Sequence, residues 1–209
     1  MSDLAKKLAG RFIVIDGPDG AGKSTQVGLL ADFLRAEGVD VRPVRDPGGT
    51  NIGDKVRAIL LDNAHGEMAV RAELMLYMAS RAQLVAEVVK PALAAGQCVL
   101  ADRFVSSTGA YQGAGGLDAK AIRSVASVAI EGVWPDLTVI LDLPPEAGLS
   151  RLPRKADRME SKDLAFHRKV RELFLKQAER DPKHFAVVDA AGSAEEVQQR
   201  LRTALRNRF

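Results

Sequence analysis

Short apolar runs at residues 12–15, 39–44, 98–101, 137–141 and 185–188 punctuate the chain, each bounded by Gly, Pro or Asp. Most are apolar on both faces, as strands buried in a parallel sheet are. Between them lie longer segments whose apolar residues recur at helical spacing. Residues 24–36 place Val27, Leu30, Ala31 and Leu34 on one face and stop at Gly38, a residue suited to end a helix. Asn51–Leu61 and residues 67–95 also read as helices, the second long, with Pro91 a candidate break. Further helices are expected at 118–131, 162–180 and 194–207, the last opened by Ser193 and Glu196 in capping-box spacing. This alternation predicts a three-layer α/β fold, with a five-stranded parallel sheet flanked by helices on both faces. No repeat, low-complexity tract or linker interrupts it, so residues 1–209 are expected to form a single domain.

Composition narrows the partners. No apolar run approaches the roughly 20 residues needed to span a bilayer, and the mixed, charged stretch at residues 1–11 carries no secretory pattern. Cys98 is the single cysteine, which rules out an internal disulfide and a four-cysteine metal site. These features lead to the expectation of a cytoplasmic protein without a membrane partner. Thirty Lys and Arg against 27 Asp and Glu leave a net charge of +3, too small an excess to indicate nucleic-acid binding. The basic residues are nevertheless uneven: residues 151–171 hold eight of them and three acidic ones.

The first strand runs directly into Gly17-Pro18-Asp19-Gly20-Ala21-Gly22-Lys23-Ser24 and then a helix. That is the G-x-x-x-x-G-K-S/T pattern in the strand–loop–helix context that gives it meaning. Gly17, Gly20 and Gly22 let backbone N–H groups turn inward around an anion without Cβ clashes. The positive end of the new helix is directed at the same point. Lys23 is placed to reach the β- and γ-phosphates, and the Ser24 hydroxyl to ligate magnesium, with Thr25 completing the loop. ATP and Mg2+ are therefore the expected cofactors, on a P-loop NTPase fold. The chain has little room for a transducing domain and lacks the N-K-x-D motif with which GTPases read their base, which favours a small kinase.

At 98–102 an apolar strand ends in Asp102, placed to orient magnesium, though a carboxylate there could equally cap the next segment. Arg103 follows, its planar guanidinium suited to a phosphate. Asp102-Arg103-Phe104, then Ser106-Ser107-Thr108 and Ala110-Tyr111-Gln112-Gly113, resemble a segment of the thymidylate kinases. The strand and P-loop at 12–25, Arg45-Asp46-Pro47-Gly48-Gly49-Thr50, and the stretch from Pro135 through Asp142, Pro144-Pro145-Glu146 and Asp157-Arg158-Glu160 resemble the same family in the same order.

The resemblance implies phosphorylation of dTMP to dTDP at the expense of ATP. It implies that Tyr77, where the family usually has Phe, stacks on thymine, and that Arg81, one helical turn later, meets the base. Ser107, Thr108 and Gln112 would hydrogen-bond the pyrimidine edge, and Tyr111 would lie against the deoxyribose. Asp19 would approach the acceptor's 3′-hydroxyl, and Arg45 and Arg103 would hold its phosphate. The Asp46–Pro47 bond is expected to be cis, and Asp16 and Asp46 stand where the family has glutamates.

Catalysis of phosphoryl transfer rests on positioned cations. In the family that cation comes from the P-loop or from a lid. The variable P-loop residues here, Pro18, Asp19, Gly20 and Ala21, are not basic, so a lid at about 148–160 is expected to supply it. Arg151 and Arg154 are its candidates, with Lys155 nearby and Arg158 expected to pair with Asp157 or Glu160. A homodimer packed through 67–95 and 118–131 is also implied by the resemblance. Two alternatives stay open at this point: a kinase for another pyrimidine nucleotide or deoxynucleoside, and a P-loop ATPase with a regulatory role.

Overall fold

The computed structural model describes residues 2–152 and 157–209. Its elements run α1 (Asp3–Leu8), β1 (Phe12–Asp16), α2 (Lys23–Ala36), β2 (Val41–Arg45), α3 (Asn51–Leu61), α4 (Val70–Leu84), α5 (Lys90–Ala94) and β3 (Cys98–Asp102). They continue with α6 (Val105–Ala114), α7 (Ala119–Ile130), β4 (Leu137–Asp142), α8 (Pro145–Leu149), α9 (Leu164–Arg180), β5 (Phe185–Asp189) and α10 (Ala194–Arg208). Among the described residues the strands form one parallel sheet in the order β2-β3-β1-β4-β5.

The two-residue period of a strand sorts the core into layers. Ile13 and Ile15 of β1 face one way, into a cluster with Leu30 and Leu34 of α2 and Leu201 and Leu205 of α10. Phe12 and Val14 face the other way, against Leu84 of α4, Ala92 of α5 and Ile130 of α7. On that second side Ile140 of β4 packs with Tyr111 of α6 and Phe174 of α9. All the core-facing residues of β1 from Phe12 to Ile15 are buried, which is why the run lacks polar alternation.

The long helix expected at 67–95 begins at Val70, and Pro91 does not break it. Proline lacks an N–H and crowds the carbonyl one turn earlier. The chain answers with a π turn at Val85–Val89, closed by Lys90 N donating to the Val85 carbonyl, and α5 continues from there. The strand expected from residue 39 begins at Val41. Helices α1, α6 and α8 were not expected. The Ser193–Glu196 capping box is present at α10, Gly38 takes the left-handed conformation past α2, and the Asp46–Pro47 bond is cis.

Candidate active site

The P-loop lies between the end of β1 and the start of α2, directly above the sheet's central strand. Gly17 has φ 136°, and a Cβ there would sit 2.4 Å from the Leu141 carbonyl oxygen, so only glycine lets β1 turn beside β4. Helix α2 opens at Gly22 without a side-chain cap. Its first N–H groups are thus uncapped by any side chain, as an anion site requires. Lys23 Nζ donates to the carbonyls of Gly17 (3.0 Å) and Pro18 (2.6 Å). Ser24 Oγ donates to Asp102 Oδ2 at 2.6 Å, across 78 residues of sequence. These two hard oxygen donors at the rim of the loop fit a magnesium ion that takes its remaining ligands from phosphate and water.

A cleft of about 370 Å³ extends from the loop. Gly20, Gly22, Lys23, Ser24 and Thr25 line its P-loop end. Arg45, Pro47, Tyr77, Arg81, Thr108 and Gln112 line the other, with Asp19, Arg103, Ser107 and Tyr111 between. The side chains named from the sequence at 77, 81, 103, 107, 108, 111 and 112 are therefore brought together by α4, α6 and the turn after β3. Pro18 contributes its carbonyl to Lys23, and Ala21 is buried in the core cluster beneath α2.

Arg103 organises the middle of the cleft. Its backbone takes φ 70°, left-handed and uncommon for a residue with a side chain. Its guanidinium pairs with Asp19 and donates to Ser107 Oγ (2.9 Å) and Tyr111 Oη (3.3 Å), and lies 3.5 Å from Asp16. Burial works against its charge, but the surrounding Tyr111, Asp19, Asp16 and Asp102 outweigh that and hold it as a cation. Burial likewise opposes ionisation of Asp19, yet Arg103 and then Lys23 prevail, and its carboxyl titrates below its ordinary 3.8. Ser107 also donates to Asp16 at 2.7 Å, beside Ser106 at 2.6 Å. Asp16 is thus spent on tying α6 to the start of the P-loop, and its shorter side chain reaches those partners fully.

Arg81 is 1% exposed and forks onto Asp46: Nε donates to Oδ2 at 2.7 Å, and Nη2 lies 2.5 Å from the same oxygen. It also donates to Thr108 Oγ1 at 3.1 Å and to the Phe104 carbonyl at 3.1 Å. Asp46 here serves as the brace of an arginine. Tyr77 stands beside it with its phenol pushed up by burial and by the Glu73 carboxylate, so it remains a neutral hydroxyl.

Arg57 was missed by the sequence reading. It projects from α3 into the cleft, donates to the Pro47 carbonyl at 3.0 Å, and its pKa is lowered by burial and by Arg45 and Arg103. A partly buried arginine whose charge is disfavoured by two neighbouring arginines marks a place for an anion. The signal was available in the helical spacing of α3, but nothing in the spacing said which face of that helix met the cleft.

The basic residues expected in a lid stand in different places. Arg151 Nη1 donates to the Gly20 carbonyl at 3.4 Å, beside the phosphate loop. Arg154, with Pro153 and Lys155, lies outside the described residues. The pairing expected for Arg158 is corrected: it is 5% exposed and binds Glu73 at 2.5 Å rather than Asp157 or Glu160. Helix α4 passes the segment that carries Arg158, and a buried guanidinium takes the carboxylate that is buried with it. Helix α8 closes directly on the P-loop. A Cβ on Gly148 would lie 2.3 Å from the Asp19 carbonyl, and one on Gly20 would lie 2.0 Å from that of Gly148.

A profile described as Thymidylate kinase matches residues 15–201. The chain belongs to the thymidylate kinase family. Among its relatives, the thymidylate kinase of Desulfovibrio desulfuricans is 45% identical over 204 residues, covering 93% of this chain and 94% of that one. The thymidylate kinase of Deinococcus radiodurans is 46% identical over 202 residues, covering 95% and 98%. The crystal structure of thymidylate kinase from Ehrlichia chaffeensis superposes with a TM-score of 0.78 at 29% identity, covering 95% of this chain and 99% of that chain. The P-loop fold expected from the strand–helix alternation is thus the thymidylate kinase fold.

Lys23 gives this thymidylate kinase site a pH signature. Burial and then Arg103 push its ammonium from 10.5 down to about 8. A polyphosphate favours the charged form, so ATP affinity is constant below that value and falls as pH rises through it. Between pH 7 and pH 9 the dissociation constant for ATP, measured calorimetrically without acceptor, should rise about tenfold, following the protonated fraction. Fold stability moves the opposite way. Between about 8 and 10.5 the unfolded chain holds that proton more tightly, so this group makes stability rise with pH. An ATP affinity flat to pH 9.5 would show that Lys23 does not meet the phosphates as an ammonium with this pKa.

Proposed function

We propose that the chain transfers the γ-phosphoryl group of ATP to dTMP, giving dTDP and ADP, as a single kinase domain with a lid at about 148–160. One observation carries the reading most directly: the P-loop lysine and the Ser24–Asp102 pair stand at one end of a cleft that also gathers Arg103 at its middle and Arg45 and Arg57 beyond. Cations that run from the P-loop into the middle of the cleft suit two phosphorylated ligands meeting head to head.

An acceptor phosphate oxygen attacks the γ-phosphorus, the bond to the β–γ bridging oxygen breaks, and ADP leaves. Lys23 and the N–H groups at the start of α2 hold the donor's β- and γ-oxygens. Ser24 and Asp102 would hold magnesium, which would supply charge neutralisation for the phosphates. Arg45, Arg57 and Arg103 hold the acceptor phosphate, and Asp19 keeps Arg103 oriented from inside the P-loop. Tyr77 provides the flat surface for the base, Tyr111 the wall against the sugar, and Arg81, Thr108 and Gln112 the polar edge. Arg151 and Arg154 complete the charge around the moving group from the lid. A homodimer through α4 and α7 agrees with Met75, 56% exposed, and Val128, 80% exposed, on those helices. No helix among the described residues is long and apolar enough to cross a membrane, and the ATP-rich cytoplasm suits the reaction.

A coupled ADP-release assay with dTMP, dUMP, dCMP and thymidine tests the substrate. dTMP should give the highest kcat/KM, with one dTDP formed per ADP. ADP release indifferent to acceptor would instead indicate a regulatory ATPase, and faster turnover of thymidine or dCMP another kinase.

A further inference from the structure

Glycine is a poor helix former, yet α8 carries Gly148 within its single turn. Its backbone makes no use of the left-handed freedom of glycine, and its N–H donates to the Pro144 carbonyl at 3.0 Å as any helical residue would. Alanine would suit that backbone better, so the reason for the glycine lies outside the helix. The P-loop supplies it. A Cβ on Gly148 would stand 2.3 Å from the Asp19 carbonyl oxygen, against at least 3.4 Å for ordinary contact. The reverse approach is as close, since a Cβ on Gly20 would stand 2.0 Å from the Gly148 carbonyl oxygen. Backbone meets backbone here, and no side chain can turn aside to make room.

Helix α8 is firmly mounted behind this contact. Pro144 and Pro145 open it, Ala147 packs against the core cluster under α2, and Glu146 pairs with Arg168 of α9 at 2.6 Å. Arg171 of α9 also forks onto Asp142, at the end of β4, at 2.6 and 2.7 Å. We infer that α8 is a backstop for the P-loop, and that Gly148 is a positioning residue for donor binding. By letting the helix rest on the Asp19–Gly20 peptide, Gly148 fixes the curvature with which the loop's N–H groups meet the phosphates. The inference rests on the proposed ATP site. Gly148 is not among the residues that line the cleft, so its effect is carried by the loop. Arg151, which donates to the Gly20 carbonyl, is held against the loop by the same contact.

Gly148→Ala tests this, because it favours the helix and obstructs only the contact. The two backbones must part by about 1 Å, the difference between 2.3 and 3.4 Å. A misplacement of that size costs about a hundredfold in rate, and kcat should fall by about that factor. The calorimetric Kd for ATP should rise about tenfold, while the Kd for dTMP measured without ATP stays within about twofold. Arg45, Arg57, Tyr77 and Arg81, which line the acceptor end, lie on β2, α3 and α4, away from the contact. A glycine with only a structural role would lower the melting temperature and leave ATP affinity and kcat of the folded protein at their wild-type values, which overturns the inference. Equal losses of ATP and dTMP affinity overturn it as well. If the variant does not fold, hydrogen exchange of the wild type decides. Contact and donor binding are reciprocally linked, so saturating ATP should slow exchange of the Ala147 and Gly148 amides by about fivefold. Unchanged exchange overturns the backstop role. A wild type that binds no ATP overturns the donor-site assignment itself, and this inference with it.

Discussion

Lys23→Ala lowers kcat by about a thousandfold while leaving the fold at least as stable as the wild type. The magnitude follows from removing a fully charged donor aimed at the oxygens where charge develops, in a site where water cannot replace it; a single neutral donor of this kind is already worth about 10² to 10³. Stability is spared because burial disfavours this ammonium, pushing it down to about 8, so the folded chain loses a strained charge along with two hydrogen bonds to the Gly17 and Pro18 carbonyls. Steady-state turnover of dTMP with saturating ATP, together with a thermal melt at pH 7, reads both effects. Residual activity above a few per cent of wild type would remove Lys23 from the centre of the mechanism.

Arg103→Met has the second largest effect, and it strikes activity and stability together. The side chain faces Asp19 and Asp16 and donates to Ser107 and Tyr111. Removing it leaves buried carboxylates without their main cation, a change that typically costs about 3–5 kcal/mol. The acceptor phosphate loses its central partner at the same time, so kcat/KM for dTMP should fall by about a thousandfold, chiefly through KM. The pH dependence identifies the cause. In the wild type Arg103 draws the Asp19 carboxyl below 3.8, so its contribution is present above that value and lost in acid. Without Arg103, burial of Asp19 is opposed chiefly by Lys23 and its pKa rises, so the variant should gain stability relative to wild type as pH falls from 8 to 5. A melt deficit that stays constant over that range would mean that Asp19 does not depend on Arg103.

Much of this site was legible before any coordinates. The P-loop is local: its glycines, lysine and serine act through the backbone of eight consecutive residues, and their spacing alone carries the chemistry. The strand runs were legible for a related reason. A parallel strand buried on both faces must be apolar along its length, and β1, β3 and β4 are. The one-turn offset of Tyr77 and Arg81 was equally readable, since i and i+4 share a helix face.

Other features needed the fold. Helix α6 contains two serines, a threonine and two glycines, and no propensity argument makes it helical. It is held by α9, which packs closely enough that a Cβ on Gly109 would lie 2.6 Å from the Gln177 side chain. The Arg158–Glu73 pair was misread because ionic partners near in sequence are easier to name than those 85 positions apart in α4. Arg57 was missed since an arginine on a helix is usually solvated, and only the packing of α3 against α4 turns this one inward.

The sequence by itself determined the chemistry that acts through neighbouring residues: the phosphate loop, the strand and helix alternation, and the identity of the groups able to meet nucleotide and metal. Tertiary structure decided which of those groups face one another. Asp102 reaches Ser24, Arg103 closes on Asp19, and Gln112 donates to Glu73. The division is physical, because backbone preferences depend on adjacent residues, whereas a buried charge takes its partner from whatever the packed core brings within about 3 Å of it.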